Sequence, residues 1–384
     1  MSNKLKNIIT NRIKASREQR ITFVEYMNLA LYHPNYGYYS SGKVKIGSRG
    51  DFFTSPSLGA DFGELLAVQF RDMWENMACP APFMLVEMGA GSGILAQDIL
   101  HYLENHYPDL LQVLQYVILE EAPALITQQQ ELLQPWLEKK INISWKGWEE
   151  IPTGSIIGCC FSNELVDAFP VHQVILEKGK LREIYVTIGA EGFKEVRGEL
   201  STPRLEEYFA LVGVEFPTNA YREGYRTEVN LAALNWLKTV GEKLHRGYLL
   251  TIDYGYPAVK YYHPQRAKGT LLCYYQHRRH QNPYINIGKQ DITTHVDFTA
   301  LERQGEKWGL TKVGFTHQGL FLMALGLGDR LAALSNGMLD FQEVLKRRDA
   351  LHQLIDPMGL GKFGVLIQSK GLENIHRLKG LKHV

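Results

Sequence analysis

A chain of 384 residues that is 45% hydrophobic is long enough for one large α/β domain with insertions or for two domains, and it excludes a disordered protein. Forty-two Lys and Arg against 41 Asp and Glu leave a formal net charge of +1 with both signs interspersed, so the broad basic field that holds nucleic acid by its phosphates is missing. Four cysteines, Cys79, Cys159, Cys160 and Cys273, match neither a zinc spacing nor a secreted disulfide framework and are expected to be reduced and buried.

The first twenty residues lack the apolar core of a secretory signal. Leu5, Ile8, Ile9 and Ile13 recur at helical spacing with Lys and Arg on the opposite face, a pattern shared by an amphipathic transit segment and an ordinary surface helix. Direct continuation into Ile21-Thr22-Phe23-Val24 favours the surface helix. No apolar stretch approaches the ~18 residues a membrane helix needs, so a cytoplasmic protein without a membrane span is expected. Residues 21–70 are dense in aromatic and turn-forming side chains, among them Leu31-Tyr32-His33-Pro34-Asn35-Tyr36-Gly37-Tyr38-Tyr39 and Gly50-Asp51-Phe52-Phe53-Thr54-Ser55-Pro56. Such composition predicts an ordered loop system. It is either a packed N-terminal cap or a cover over a ligand, loops on a rigid scaffold being where binding residues gather. In the second case Asp51, Thr54 and Ser55 are ligand contacts.

The apolar run 83–86 leads into Glu87-Met88-Gly89-Ala90-Gly91-Ser92-Gly93, and the periodic segment 94–103 follows, which predicts a strand, a tight turn and a helix starting at Ser92. Glycine at every second position removes the Cβ that would keep a ligand from the backbone, and the helix start offers unpaired N–H groups. A dinucleotide fingerprint needs its third glycine three residues after the second, so that the helix packs under a pyrophosphate. Ile94 stands there, the glycine having fallen one place early. Glu87, two residues before the first glycine, suits the ammonium of an aminoacyl sulfonium rather than a phosphate. The E-x-G-x-G-x-G pattern thus points to S-adenosyl-L-methionine bound at Glu87, Gly89, Ala90, Gly91 and Gly93. A second apolar run, 117–119, ends in Glu120-Glu121, where a doubly wound fold sets a carboxylate on the ribose hydroxyls, and Glu120 takes that role. Because Glu120 lies 27 residues past Gly93, against roughly 20 in the dinucleotide pattern, the intervening helix is predicted to extend through His106.

Helix 122–138, a short strand 142–146 and strand 155–161 continue the alternation, which argues for a parallel sheet with helices on both faces. Beyond Asn163 the pattern changes. Residues 171–176 and 180–187 read as a hairpin turned at Lys178-Gly179, opening an insertion. A helix over 228–244 leads to the apolar run 248–252, which ends in Asp253-Tyr254-Gly255 and resumes the sheet. A second excursion, 256–298, is rich in Tyr, His, Arg and Asn; a helix and strands near 310–315 and 363–368 then complete about seven strands.

Ligands of open α/β sheets lie beyond the carboxyl ends of the strands. Past the fourth strand stand Ser162-Asn163-Glu164-Leu165-Val166-Asp167-Ala168-Phe169-Pro170, an amide and two carboxylates that suit a nitrogen nucleophile. Glu164 or Asp167 would orient a guanidinium through paired N–H bonds, with Asn163 beside them; alternatively Asn163 or Asp167 caps the next helix. His277, His280 and His295 lack carboxylate or thiolate neighbours at a metal-ligand spacing, so loop hydrogen bonding or substrate contact is expected of them and no metal.

With these residues assembled, the chain resembles the mitochondrial complex I assembly-factor family of protein arginine methyltransferases and its bacterial homologues. The matching blocks are 50–56, the loop 87–93, residues 162–172, Tyr221-Arg222-Glu223-Gly224-Tyr225, Ile252-Asp253-Tyr254-Gly255 and Asp291-Ile292-Thr293-Thr294-His295-Val296-Asp297-Phe298, which span nearly the whole chain. The resemblance implies a Rossmann-like seven-strand class I methyltransferase core with an N-terminal cap and two insertions. It implies S-adenosyl-L-methionine as cofactor and a protein acceptor like a respiratory-complex subunit, whose arginine the mitochondrial members modify. The expected organisation is a cap at 1–80, half of the core at 81–170, an inserted α/β segment at 171–225, and the second half at 226–384 with an insertion at about 256–298. The double-glutamate loop of better-known arginine methyltransferases is not evident in the sequence. A small-molecule methyltransferase and an S-adenosyl-L-methionine-binding assembly chaperone with little turnover are the alternatives. The family-like region begins almost at Met1, which leaves little room for a transit peptide and suggests a cytosolic protein.

Overall fold

The computed structural model describes residues 2–41, 54–276, 278–334, 340–373 and 376–382. Strands β1 (Phe83–Met88), β2 (Leu114–Leu119), β3 (Ile143–Lys146), β4 (Ile156–Asn163), β5 (Leu244–Asp253), β6 (Thr311–His317) and β7 (Gly364–Lys370) form one sheet in the order β6-β7-β5-β4-β1-β2-β3. β1 to β5 are parallel, and β7 runs antiparallel between β5 and β6. This is the expected Rossmann-like α/β core.

Covered on both faces, such strands read as near-continuous apolar runs, while alternate side chains serve opposite layers. Leu85, Cys159 and Leu250 pack with helices Asp61–Asn76 and Ile94–His106; Val86, Cys160 and Leu249 pack with helices Leu231–Lys243 and Phe298–Lys307. The sequence neighbours Cys159 and Cys160 are therefore buried on opposite faces of the sheet. Cys273 is buried as well, whereas Cys79, in the turn after helix Asp61–Asn76, is exposed, which corrects the expectation of four buried thiols.

Local signals shift some predicted boundaries. The helix after β1 begins at Ile94, because Gly93 holds a left-handed φ of +83° and serves as its N-cap. It extends through His106, and the short helix Pro108–Val113 takes up the rest of the long interval to β2. The helix predicted at 228–244 spans Leu231–Lys243: Arg226–Val229 is a strand, and Asn230 caps the helix by accepting the Ala233 N–H at 2.9 Å.

The predicted hairpin is present as strands His172–Glu177 and Lys180–Gly189, but Gly192–Gly198 and Arg226–Val229 enlarge it into a second sheet. Strand Ile21–Thr22 joins the same sheet, Ile21 opposite Val186 and Thr22 opposite Tyr185. The N-terminal segment and both insertions therefore share one core: Leu5, Ile9 and Ile13 from helix Ser2–Ala15 pack with Phe23, Val186, Cys273 and Ile292. A further elaboration escaped the sequence reading. Helices Gln318–Ala324, Leu327–Ala333 and Phe341–Ile355 fill the connection from β6 to β7. Asp61 holds them to helix Asp61–Asn76 by accepting Arg330 at 2.8 Å and Arg347 at 2.7 and 2.9 Å. Among the described residues no helix is long and apolar enough to cross a membrane.

Candidate active site

β1 carries Glu87 to the carboxyl edge of the sheet, where the chain turns through Gly89, Gly91 and Gly93 at φ of +73°, +55° and +83°. Side-chain-bearing residues adopt this region only at a cost. A Cβ on Gly89 would lie 2.8 Å from Leu165 Cδ1, and one on Gly93 would lie 3.2 Å from Gln129 Cγ. Ala90, between them, is buried. Glu87 is buried too, and its Oε2 accepts the Tyr116 hydroxyl at 2.7 Å. Burial pushes its carboxyl up to about 7, with Glu120 adding to the rise and the Tyr116 bond opposing it.

Glu120 follows β2. Its Oε1 accepts the N–H groups of Glu121 and Ala122, both at 3.0 Å, and its Oε2 accepts Gln129 Nε2 at 3.3 Å. Gln129, which sequence reasoning missed, also donates to the Gly91 carbonyl at 2.8 Å and accepts the Trp145 indole N–H at 2.9 Å. It joins the glycine loop, the acid after β2 and strand β3. One signal was available: in helix Pro123–Glu138 Gln129 occupies the buried stripe with Leu125, Leu133 and Trp136, and a fully buried amide needs partners.

β4 and β5 end side by side, Asn163 opposite Ile252. The chain then turns at Glu164, a non-glycine residue at φ +52°, whose N–H donates to the Ile252 carbonyl at 2.9 Å. Left-handed backbone of this kind costs on the order of 1 kcal/mol and persists only when its surroundings hold it. Glu164 Oε1 accepts the Ser55 N–H at 3.4 Å and Asn163 Nδ2 at 3.3 Å. Asp253, ending β5, anchors the turn: its Oδ2 accepts the N–H groups of Val166 at 2.9 Å and Asp167 at 3.3 Å, and its Oδ1 accepts that of Tyr254 at 2.8 Å. Asp167 accepts the Tyr254 hydroxyl, while its Oδ1 is buried without a hydrogen-bond partner. The helix-capping alternative does not describe these side chains, since Val166–Ala168 is a single 3-10 turn and both Asn163 and Asp167 point to side-chain partners.

The N-terminal segment closes the other side. Tyr39 donates to Asp291 Oδ1 at 2.8 Å and Tyr32 to the Ala168 carbonyl at 2.9 Å, with the two rings stacked at 5.4 Å. Burial, then Asp167 and Asp291, push the Glu164 carboxyl up to about 8. Burial raises Asp167 to about 6 against the Tyr254 bond, and Asp253 rises through burial and then the charges of Asp167 and Glu164. Among the described residues none of these three has a cationic partner. Asp253, Asp291, Tyr32 and Tyr39 were not assigned roles from sequence. The motif Ile252-Asp253-Tyr254-Gly255, closing a strand, was the available signal for the first.

Of the predicted ligand contacts in the N-terminal segment, Ser55 lies against Glu164 and also donates its hydroxyl to Gln318 Oε1 at 3.2 Å. Thr54 is buried at the start of that turn, its N–H on Ser57 Oγ at 3.2 Å, and Asp51 lies outside the described residues. So does His277. His295 stacks on Tyr256 and meets Tyr254 edge-on, and among the described residues no group of three His, Cys, Asp or Glu could hold a metal ion.

Residues 65–316 match a family of S-adenosyl-L-methionine-dependent methyltransferases. The chain belongs to that family. The methyltransferase is 31% identical to a Burkholderia thailandensis protein solved with bound S-adenosylhomocysteine, the likeness covering 99% of this chain and 95% of the other at a TM-score of 0.88. It is 29% identical to the Drosophila melanogaster protein named protein arginine methyltransferase NDUFAF7 homolog, mitochondrial, over 93% of this chain and 83% of the relative. The human protein arginine methyltransferase NDUFAF7, mitochondrial, is 27% identical over 89% and 78%. The cofactor of the methyltransferase is S-adenosyl-L-methionine. The loop from Glu87 to Gly93 fits that molecule, because its glycines leave the backbone open and two carboxylates, Glu87 and Glu120, stand at the ends of adjacent strands.

Proposed function

We propose that this methyltransferase modifies an arginine side chain of a protein acceptor, with cofactor contacts from Glu87, Gly89, Ala90, Gly91, Gly93 and Glu120. The observation that carries the acceptor is the set of carboxylates at Glu164, Asp167 and Asp253, Asp167 and Asp253 buried and Glu164 partly so, with no ion-pair partner among the described residues. Uncompensated buried charge costs several kcal/mol per ion. A guanidinium answers it, with five N–H donors in a planar fork that matches paired carboxylates. The buried Oδ1 of Asp167 has no hydrogen-bond partner and would accept one of them. The activity named for the Drosophila and human relatives supports the same acceptor. In this reading the acids at the ends of two strands would take the part of the double-glutamate loop that the sequence lacks.

When bound, S-adenosyl-L-methionine supplies an electrophilic methyl on a sulfonium. Because the guanidinium pKa exceeds ~12, no side chain strips its proton beforehand. Glu164 and Asp167 hold N–H groups and leave one nitrogen in line for displacement. As the N–C bond forms and the methyl's bond to sulfur breaks, which would leave a neutral thioether, the carboxylates offset the charge gathering on the nitrogen, and the departing proton passes to Glu164, whose carboxyl is raised to about 8, and then to solvent. The test is mass spectrometry of arginine and lysine peptides incubated with the full chain and S-adenosyl-L-methionine. Methylated arginine with unmodified lysine is expected; methyl groups on lysine, or none on either from protein that binds the cofactor, would overturn the reading.

A further inference from the structure

The second insertion carries cations that the methyl-transfer chemistry does not use. Lys260, His263, Gln265 and Arg266 line an open cleft of about 410 Å³, with the 80% exposed Val259 beside it. Among the described residues Lys260, His263 and Arg266 form no ion pair. A ladder of rings joins this cleft to the acidic turn. Arg266 Cζ lies 4.4 Å above the Tyr256 ring, Tyr256 stacks on His295 at 5.0 Å with the planes 4° apart, and His295 meets the edge of Tyr254 at 5.2 Å. Tyr254 in turn donates to Asp167. This row of contacts thus has the cation of Arg266 at one end and the carboxyl of Asp167 at the other.

We infer that the Lys260–Arg266 cleft reads an acidic side chain of the acceptor polypeptide close to the target arginine, an inference that rests on the arginine reading above. Unpaired cations in a cleft select carboxylates and reject lysine by like-charge contact. The ring spacings put Arg266 no more than about 15 Å from the Tyr254 ring. At about 3.3 Å per residue of extended chain, a Glu or Asp four or five residues from the arginine reaches the cleft while the guanidinium lies against Glu164 and Asp167. The uncharged His295, whose pKa is driven down to about 4 by burial first and then by Arg266 and Lys362, divides the two fields.

The test uses the full chain, S-adenosyl-L-methionine and synthetic peptides with one arginine in a Gly-Ser-Ala background and Glu, Gln or Lys five residues away on either side. On one side, kcat/KM is expected to fall about fivefold from Glu to Gln and further to Lys, the gap closing in high salt. The exposed double variant Lys260→Glu, His263→Glu is expected to reverse the order and prefer the Lys peptide. Equal kcat/KM for Glu and Gln peptides whose arginine is methylated would overturn the inference and leave the arginine reading standing. If no peptide is methylated, the arginine reading falls, and fluorescence anisotropy of the same peptides decides the cleft: Glu must still bind more tightly than Gln.

Discussion

Glu164 adopts a backbone conformation that glycine would take freely, and its carboxyl is carried into an acidic turn where burial raises it to about 8. Strain and desolvation at one position fit the proposed role of Glu164 as a pre-organised reacting group. Glu164→Gln keeps the shape and removes the charge; we expect S-adenosyl-L-methionine affinity within about twofold of the parent and turnover lower by about 100-fold, measured by calorimetry and single-turnover assay. The neighbouring charges set the pH dependence. Asp167 and Glu164, raised to about 6 and about 8, are protonated at low pH, and under the proposed arginine chemistry they would clamp a guanidinium only when ionised. Hence kcat/KM for an arginine peptide should rise from pH 6 to pH 8.5, and a flat profile would remove both from the clamp. Gln129 is the residue that ties the glycine turn to Glu120 and to strand β3. Gln129→Leu strands the Gly91 carbonyl and the Trp145 N–H, so we expect about 1–3 kcal/mol lost in urea unfolding and cofactor affinity weaker by about tenfold. Asn163, Glu164 and Asp167 were legible because they follow a strand end in sequence. Gln129, Asp253 and Asp291 were not assigned, because each acts on partners far along the chain.

At the scale of elements, β1 to β5 were readable from apolar runs and their spacing, since strands buried on both faces carry little else. What the runs hide is how closely β4 and β5 approach. Gly158 and Gly247 face each other across that pair; a Cβ on Gly247 would fall 1.8 Å from the Gly158 carbonyl oxygen, and one on Gly158 1.9 Å from that of Met84. Both also hold positive φ, +152° and +142°. Gly247→Ala is therefore expected to cost more than about 3 kcal/mol, an exceptional value for adding one methyl, seen as insolubility or a large drop in Tm; an unchanged melting curve would contradict the approach. The helix boundaries that moved did so for local reasons: Gly93 and Asn230 act as caps, and strand Arg226–Val229 takes residues whose apolar spacing had read as helix.

For the whole molecule, the helices between β6 and β7 are held by an ion network in which Asp61 accepts both Arg330 and Arg347. Asp98, nearby, is not neutralised by it: burial first, then the charges of Glu64 and Asp61, push its carboxyl up to about 7, and its Oδ2 has no hydrogen-bond partner. An acid with a folded pKa above its unfolded value binds protons more tightly in the fold, so it costs stability as pH rises above the unfolded value near 4, fully by about 7. Asp98→Asn should then raise the urea midpoint at pH 8 and leave it unchanged at pH 3; equal effects at both would refute the assignment. The sequence by itself determined the doubly wound core, the glycine turn with its two carboxylates and the acidic strand exit, because those depend on periodicity, on the missing Cβ of glycine and on position after a strand, all written locally. Only the tertiary structure decided that the N-terminal segment and both insertions share one core, that a set of helices separates β6 from β7, and that acids from β4, β5 and the second insertion converge on one turn. Those are long-range contacts, fixed by packing and by hydrogen bonds between residues far apart in the chain, and no local period encodes them.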